Sequence, residues 1–270
     1  MKLTRLSWSW INTLSTCGQQ FVFRYIEKVV SPPGFAMIRG RAVDDAVNQN
    51  LTHKLETGSL LSAEQVTQSA SDAFDAATKD GYAIDGEYEG MDRKVAFGIA
   101  KDEVVGLAGY HAMELAPSID PTGIQLKVEV PPCEALPVTL VGVLDLVDGE
   151  VVRDLKTKRK APPKDMADTS GQLTVYDLLY RALKGQPPAG LGLDVLWQTP
   201  ERKERKHARL ETQRSVKDLQ VFVNRANAAR RSIEAEIFLP APTDHWVCTP
   251  RFCGYTAVCP YFASRSRPTT

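Results

Sequence analysis

Two aspartates and one lysine come together on a β-hairpin that the sequence predicts near its middle. The dipeptide Asp148-Gly149 separates two β-rich segments and is typical of a two-residue type I′ turn. With these two residues as the loop, Asp145 lies diagonally opposite Asp154, about 7–8 Å away between Cα atoms. Lys156 lies on the same face because side chains alternate along a strand. The hairpin therefore predicts a cluster of two carboxylates and one ammonium group.

This cluster is suited to the hydrolysis of a phosphodiester. Two carboxylates offer the oxygen ligands that Mg²⁺ or Mn²⁺ prefers, and such an ion polarises a phosphate and lowers the pKa of a bound water. A lysine beside the phosphate stabilises developing negative charge and orients the water. The alternative is an ordinary solvated hairpin face. The apolar run Gly-Val-Leu-Asp-Leu-Val favours the first interpretation, because it predicts that Asp145 is buried, where an uncompensated carboxylate is costly.

The cysteines form a second group with possible chemistry. Cys248, Cys253 and Cys259 have the spacing C-x4-C-x5-C in a Pro-rich tail. With a fourth ligand elsewhere, this spacing is compatible with zinc or with an iron–sulfur cluster, and buried thiols are the third possibility. The N-terminus lacks the apolar core of a signal peptide, so we expect a reducing cytoplasmic location in which disulfides are disfavoured. Cys133 has no partner in these patterns and is interpreted as a plain thiol.

The elements that must position these residues follow from periodicity and turn signals. Helices are predicted at 7–29, 37–56, 62–78, 170–184 and 212–236, and more weakly at 96–114, with a loop at 80–95. Strands are predicted at 125–130, 136–147, 150–157 and 193–199. This order indicates an α/β (α+β) fold with a mixed central sheet flanked by helices. We expect a single domain over 1–270, with a mainly helical portion (1–115), a sheet core (120–200), a long helix (210–239) and a cysteine tail (240–270).

Composition sets weaker limits on function. The formal net charge of 270 residues is zero, so the chain as a whole lacks the basic character of many nucleic-acid-binding proteins. Two local stretches are basic, and the one at 156–160, followed by Lys164, is expected to contact phosphate. The other, at 201–209, is interpreted as a solvated face. Aromatic residues of the second half could stack on unpaired bases, but core packing is the expected role of each: Trp197, Trp246 and Phe252. No run of 18 apolar residues exists, so no membrane span is expected.

The hairpin sequence resembles a known family. The stretch from Gly142 to Thr157, with Asp145, Asp154 and Lys156, is similar to motifs II and III of the PD-(D/E)xK nuclease superfamily. Downstream, the sequence Gln-Leu-Thr-Val-Tyr at 172–176 resembles the Q-x3-Y element of the RecB-like branch. That branch includes the RecB and AddB nuclease domains and the CRISPR-associated exonucleases that have a cysteine cluster. Gln172 and Tyr176 are four residues apart on one predicted helix, so they are expected to present their side chains on the same face.

The cysteines extend the resemblance to nearly the whole chain. The flank of Cys17 and the Cys-Gly-Tyr and Cys-Pro pairs of the tail are similar to the cysteine signatures of that branch. The resemblance implies a restriction-endonuclease-like core with a four-iron four-sulfur cluster that ties the tail to the first helix. Its implied ligands are Cys17, Cys248, Cys253 and Cys259. Zn²⁺ is the alternative.

Motif I departs from the family pattern. The family has G-x3-H-x3-E on a helix before the sheet, whereas the equivalent stretch here has Gly40, Asp44 and Asn48. Aspartate is a competent oxygen ligand, so a metal site could persist with altered preference. The change leaves open whether Asp44 replaces the histidine.

The resemblance implies a Mg²⁺- or Mn²⁺-dependent DNA exonuclease that acts on single strands or ends. Its roles would be in DNA repair, recombination, or phage or CRISPR DNA processing, with protein partners from a recombination or CRISPR-adaptation complex. The implied metal ligands are Asp44, Asp145, Asp154 and the carbonyl of Leu155, and the further catalytic residues are Lys156, Gln172 and Tyr176. Two alternatives remain open, a nuclease-fold DNA-binding or scaffold protein without cleavage and a zinc-bound interaction module.

Overall fold

The computed structural model describes residues 2–199, 204–242 and 244–262. The chain divides into two units. The first contains Met1–Pro32, Val130–Val141 and Gln220–Thr270, and the second contains Pro33–Glu129 and Gly142–Leu219. A single domain over 1–270 stays a prediction. None of the described helices is both long and apolar enough to cross a membrane.

The described residues form seven α-helices and six strands. The helices are α1 Trp8–Thr16, α2 Gly18–Phe21, α3 Phe35–Thr57, α4 Ala63–Thr78, α5 Arg93–Glu114, α6 Gly171–Lys184 and α7 Val216–Glu234. The strands are β1 Arg5–Ser7, β2 Pro121–Val130, β3 Thr139–Asp148, β4 Val151–Lys158, β5 Gly190–Gln198 and β6 Arg205–Thr212. Short helices of other types follow α2 and flank α5: the π-helix Val22–Ile26 and the 3-10 helices Gly86–Tyr88 and Ala116–Ser118.

The second unit is built on a mixed sheet with helices on both faces. Within it β3 pairs with β2 and β4, β4 runs parallel to β5, and β5 runs antiparallel to β6. Leu155 packs against the apolar core of α3, α4 and α5, whereas Lys156 contacts α6. Because neighbouring side chains point to opposite faces of a strand, helices cover the sheet from both sides. The predicted fold class is confirmed in this coarse form.

The hairpin register differs from the prediction. The observed pairs are Leu146 with Arg153 and Asp148 with Val151, so the two-residue loop is Gly149-Glu150 instead of Asp148-Gly149. Gly149 has φ +60°, which suits the first central position of a type II′ turn, where glycine avoids steric strain. The predicted type I′ turn is therefore wrong by one residue.

Several other elements correct the predictions. The predicted helix over 7–29 is interrupted at Cys17, whose extended backbone (φ −162°, ψ 113°) separates α1 from α2. Strands β1 and β6 were not predicted, and α7 begins at Val216 because β6 occupies the residues before it. The weakly predicted helix at 96–114 exists as α5. Ser62 and Gln65 form a capping box at the start of α4.

The first unit holds the tail against the short helix α2. The backbone of Gly18 donates to the Leu239 carbonyl at 2.7 Å, and a Cβ at Gly18 would lie 2.5 Å from the backbone carbon of Phe238. Only glycine allows this close approach. In the same unit, β1 pairs in parallel with Thr139–Val141. The residue before Gly18 is Cys17, so this contact fixes the cysteine beside the tail.

Arg214 fixes the start of α6, the helix that carries Gln172 and Tyr176. Its guanidinium donates to the carbonyls of Ala167 and Ser170, each at 2.9 Å, and to the Thr174 hydroxyl at 2.8 Å.

We expect Arg214→Met to lower the free energy of unfolding by about 2–3 kcal/mol, because two carbonyls lose a charged hydrogen-bond donor. Urea titration at neutral pH measures this difference. The control is Arg225→Met on the exposed side of α7, which is expected to change stability by less than about 0.5 kcal/mol. Equal effects of the two substitutions would show that the Arg214 contacts do not hold α6.

Candidate functional site

Asp154 and Lys156 form an ion pair on β4. The Asp154 side chain is 1% exposed, and Lys156 Nζ lies 2.7 Å from its Oδ2 and donates to its Oδ1 at 3.0 Å. The Oδ2 contact lacks hydrogen-bond geometry, and among the described residues this oxygen has no hydrogen-bond partner. A buried carboxylate with one oxygen left without a donor is an unusual arrangement, and it calls for a further positive partner.

Gln172 of α6 connects these two residues to Tyr176. Its Oε1 accepts a hydrogen bond from Lys156 Nζ at 3.0 Å, and its Nε2 donates to Asp154 Oδ1 at 3.2 Å and to the Tyr176 hydroxyl at 2.9 Å. Gln172 and Tyr176 face the sheet together because they are four residues apart on a helix. Asp145 lies close to this group, since its charge contributes to the raised pKa values of Tyr176 and Asp154. The five predicted catalytic residues are thus neighbours in the folded chain.

Burial and neighbouring carboxylates raise the proton affinity of two acids at this site. Burial raises the pKa of Asp154 well above its usual value, and the neighbouring carboxyl of Asp145 raises it further. Lys156 opposes this rise. Burial also raises the pKa of Asp44 on α3 to about 7, with the charge of Asp145 as the next cause. The carboxyl of Asp44 is therefore partly protonated near neutral pH.

Asp44, Asp145, Asp154 and Leu155 line one small cavity of about 20 Å³. A space of this size holds one water or one small ion. Asn48 donates to Asp44 Oδ2 at 3.0 Å and thereby orients the carboxylate. The register explains the proximity of the two hairpin aspartates, because the pair that follows Leu146–Arg153 would be Asp145 and Asp154.

The donor set of this cavity fits a hard divalent ion. Among the residues that the structure describes, no three His, Cys, Asp or Glu side chains already converge as a group that could hold a metal. The fit therefore rests on chemistry. Asp44, Asp145 and Asp154 line one cavity, and the pKa values of Asp44 and Asp154 are raised. Arg153 and Asp194 line the same cavity, and Lys156 pairs with Asp154. A cation would compete with the proton of Asp44.

The opposite face of the same strands carries a buried ion network that sequence reasoning missed. Arg153, which is 5% exposed, donates to Asp148 at 2.9 Å, and Arg209 of β6 donates to Asp148 and to Asp194, each at 3.0 Å. His111 of α5 lies at this side. Burial, and then the charges of Arg209 and His207, lower the pKa of His111 to about 3. The sequence contained one signal for this network, the succession of charged residues around Asp154 in β4.

The four predicted cluster cysteines meet in the first unit. Cys17, Cys248, Cys253 and Cys259 line one cavity of about 20 Å³. The Ala241 N–H donates to Cys17 Sγ at 3.3 Å. Burial raises the pKa of the Cys253 thiol, and the nearness of the other three cysteines raises it further. Thiolates are ligands of zinc and of iron–sulfur clusters, but among the described residues no three of these side chains are placed as a group that could hold a metal. Cys133 is exposed and does not line this cavity.

The surroundings of the carboxylates differ in charge. Lys158 and Lys160 continue β4 and are exposed. On another side, an open groove of about 1360 Å³ extends from Asp44 along α3 and α4, and its lining contains five acids and no lysine or arginine. The acids are Asp44, Asp45, Glu56, Glu64 and Asp72. The second basic stretch falls partly on 201–203, which lie outside the described residues.

The predicted core packing of two aromatic residues is wrong. Trp246 is 60% exposed and Phe252 is 52% exposed. Trp197 of β5 is only half-buried.

Comparisons with known proteins identify the superfamily of the chain. The family model of the PD-(D/E)XK nuclease superfamily matches residues 5–260, and the chain therefore belongs to that superfamily. A search of curated proteins finds no match. Among solved structures, a protein from Eubacterium rectale that is provisionally described as an exonuclease has a similar fold, with TM-score 0.54 and 13% identity over 98% of this chain and 90% of its own. The structure of SSO0001 covers 81% of this chain and 85% of its own at 14% identity, with TM-score 0.38.

The lowered pKa of His111 makes stability depend on pH. The unfolded chain binds a proton near the ordinary value of 6.5 but the folded chain binds it only near 3, so stability is complete above pH 6.5 and falls as the pH drops below it.

We expect His111→Leu to remove this part of the dependence. Relative to its value at pH 8, the free energy of unfolding of the wild type should fall faster than that of the variant, by about 1.4 kcal/mol per pH unit below pH 6. Urea titrations of both proteins between pH 5 and 8 measure the difference. Parallel profiles would contradict the burial of a neutral imidazole.

Proposed function

We propose that the protein is a metal-dependent DNA exonuclease. The observation that carries this proposal is the hydrogen-bonded group of Asp154, Lys156, Gln172 and Tyr176 in a chain of the PD-(D/E)XK nuclease superfamily. Asp145 lines the same small cavity as Asp154. The exonuclease description of the similar Eubacterium rectale structure supports the mode of action.

Asp44, Asp145, Asp154 and the carbonyl of Leu155 would hold Mg²⁺ or Mn²⁺. When bound, such an ion polarises the phosphate and lowers the pKa of a water molecule. Asp44 can accept this role without the histidine of the family motif, because carboxylate oxygens are preferred ligands of both ions. Its pKa of about 7 also means that ion binding competes with protonation, so affinity should rise with pH.

Lys156 supplies positive charge where the phosphate becomes more negative. Its ammonium is held between Asp154 and Gln172 at 3.0 Å from each acceptor, so it needs little rearrangement to donate to a phosphate oxygen. Gln172 holds the lysine in place. Tyr176 keeps its proton, because burial and the charges of Asp154 and Asp145 raise the pKa of its hydroxyl well above the usual value. It therefore acts as a neutral hydrogen-bond partner that helps to hold Gln172 in place.

Charge favours one direction of approach for the DNA backbone. The acidic groove along α3 and α4 repels phosphates, whereas Lys158 and Lys160 extend from the strand that carries Lys156. We infer that the strand to be cleaved lies along these lysines. Single strands or ends suit a site that is partly closed by α3 and α6.

The central test is the loss of the Lys156 ammonium. We expect Lys156→Ala to reduce the degradation of end-labelled single-stranded DNA in Mn²⁺ by at least about a hundredfold, because the transition state loses a preorganised charge. Gel analysis of the labelled products measures both the rate and the direction of cleavage.

Lys184→Ala is the matched control. Lys184 is exposed at the end of α6 and contributes to no part of the site, so this variant should cleave as the wild type does. Equal rates for wild type and Lys156→Ala would remove the assignment.

For the cysteine cavity we propose a four-iron four-sulfur cluster with Cys17, Cys248, Cys253 and Cys259 as ligands. The support is their common cavity and the spacing of the tail cysteines. Zinc is the alternative, because it accepts the same thiolates. A cluster would link residue 17 to the tail and restrict the unfolded chain over most of its length.

We expect Cys17→Ser to lose most of the bound iron and sulfide and to lower the thermal midpoint of unfolding, whereas Cys133→Ser should keep both. Anaerobic purification with iron, sulfide and zinc analysis gives the measurement. Stoichiometric zinc with no iron would replace the cluster by a zinc site. Equal metal content in the two variants would show that Cys17 is no ligand.

A second candidate function is DNA binding without cleavage. Asp44 and Asn48 in the positions of the motif I histidine and glutamate favour it. DNA binding by the wild type with no degradation in Mg²⁺ or Mn²⁺ would select this candidate. Membership of the RecB-like branch, the biological pathway and a cytoplasmic location remain predictions.

A further inference from the structure

The tail of the first unit presents a cluster of exposed rings. Trp246 and Phe252 meet edge to face, with their ring centroids 5.1 Å apart and an interplanar angle of 87°. His245 lies beside the indole at 5.5 Å, and the Arg251 guanidinium lies 5.5 Å from the centre of the Phe252 ring. We call these four residues the aromatic cluster.

Packing does not account for this exposure. Trp246 precedes Val247 and Cys248, which turn inwards to the cysteine cavity, and Phe252 precedes Cys253, which does the same. Neither Trp246 nor Phe252 lines that cavity. More than half of each ring remains accessible, although both are among the largest apolar side chains of the protein. Exposed aromatic residues of this kind mark binding surfaces more often than isolated aliphatic ones.

The charge of the first unit points to the chemistry of the ligand. Its three segments contain ten lysines and arginines but only five aspartates and glutamates, and the second unit carries the compensating excess of acids. The zero net charge of the chain therefore hides a basic unit. Positive charge together with rings and a guanidinium that can stack is the combination by which proteins hold unpaired nucleic-acid strands.

We propose that the aromatic cluster is a binding site for an unpaired base of single-stranded DNA, which stacks on Trp246 and Phe252. Arg251 adds a cationic, planar contact at the edge of the site, and the net positive charge of the first unit favours the approach of phosphates. Because every base has a flat apolar face, the site would hold a strand with little preference for sequence. This inference rests on the proposed function in taking DNA as the ligand, but it does not require that the DNA be cleaved.

The test measures binding of the full chain to a labelled oligothymidylate by fluorescence anisotropy, in EDTA so that no cleavage occurs. We expect Trp246→Ala and Phe252→Ala each to raise Kd about 5- to 100-fold. Trp246→Leu keeps an apolar side chain without an aromatic face and should bind as weakly as Trp246→Ala. The control is Tyr261→Ala, an exposed aromatic residue of the same tail that should keep the wild-type Kd.

An abasic oligonucleotide of equal length separates stacking from phosphate contacts. We expect the wild type to bind it more weakly than oligothymidylate, and Trp246→Ala to bind it as the wild type does. Unchanged binding of oligothymidylate by Trp246→Ala would overturn the proposal, and so would equal weakening for both oligonucleotides. Loss of self-association in Trp246→Ala, with DNA binding intact, would instead identify an interface between copies of the chain. Thermal melting and metal content of each variant establish that it is folded.

Failure of the proposed function is distinguishable in the same experiment. If the wild type never cleaves DNA but binds oligothymidylate through Trp246, the base site stands and the nuclease does not. If Lys156→Ala abolishes cleavage while Trp246→Ala leaves oligothymidylate binding unchanged, the nuclease stands and the base site does not.

Discussion

The arrangement of the second unit depends on the burial of one carboxylate, that of Asp154. A charge removed from water must be compensated by a partner, and here the partner is the ammonium of Lys156, two residues along the same strand. Gln172 has to reach both groups, so α6 is fixed over this face of β4 and Arg214 is needed to fix the start of α6. The compensation is incomplete, since Asp145 adds a second acid beside the first and the pKa of Asp154 remains raised. The cation proposed for this site would supply the positive charge that Lys156 alone does not.

The sequence predicted this face of the hairpin although it misplaced the turn. Asp-Gly is a strong turn signal, but it does not determine which central position glycine takes, and the structure uses Gly149 first because only that residue needs positive φ. Moving the loop by one residue moves every cross-strand partner by two. Side chains alternate with a period of two, so Asp145 and Asp154 stay on one face in both registers. The face on which a side chain lies is therefore predicted more reliably than the type of turn.

Other features could not be predicted because they depend on contacts between distant segments. The ion network of Arg153 joins residues from β3, β4, β5 and β6, and no local pattern identifies Asp194 as a partner of both Arg153 and Arg209. Strand β6 was missed because its first residues are charged and exposed, so its apolar alternation is weak. The interruption of the first helix at Cys17 has a similar origin. The helical period continues through it, and the close contact of Gly18 with the tail determines the break.

The distribution of charge fits the proposed metal-dependent site. Carboxylates that are to bind a cation leave the surrounding unit acidic, and the acids of the groove beside Asp44 add to that field. An acidic unit attracts divalent ions but repels the phosphates of the substrate. Attraction of these phosphates requires positive charge in particular places. The lysines after Lys156 can supply it locally, and the first unit can supply it elsewhere in the chain. A zero net charge is therefore compatible with nucleic-acid binding, because the field at each surface, and not the sum over the chain, determines what approaches it.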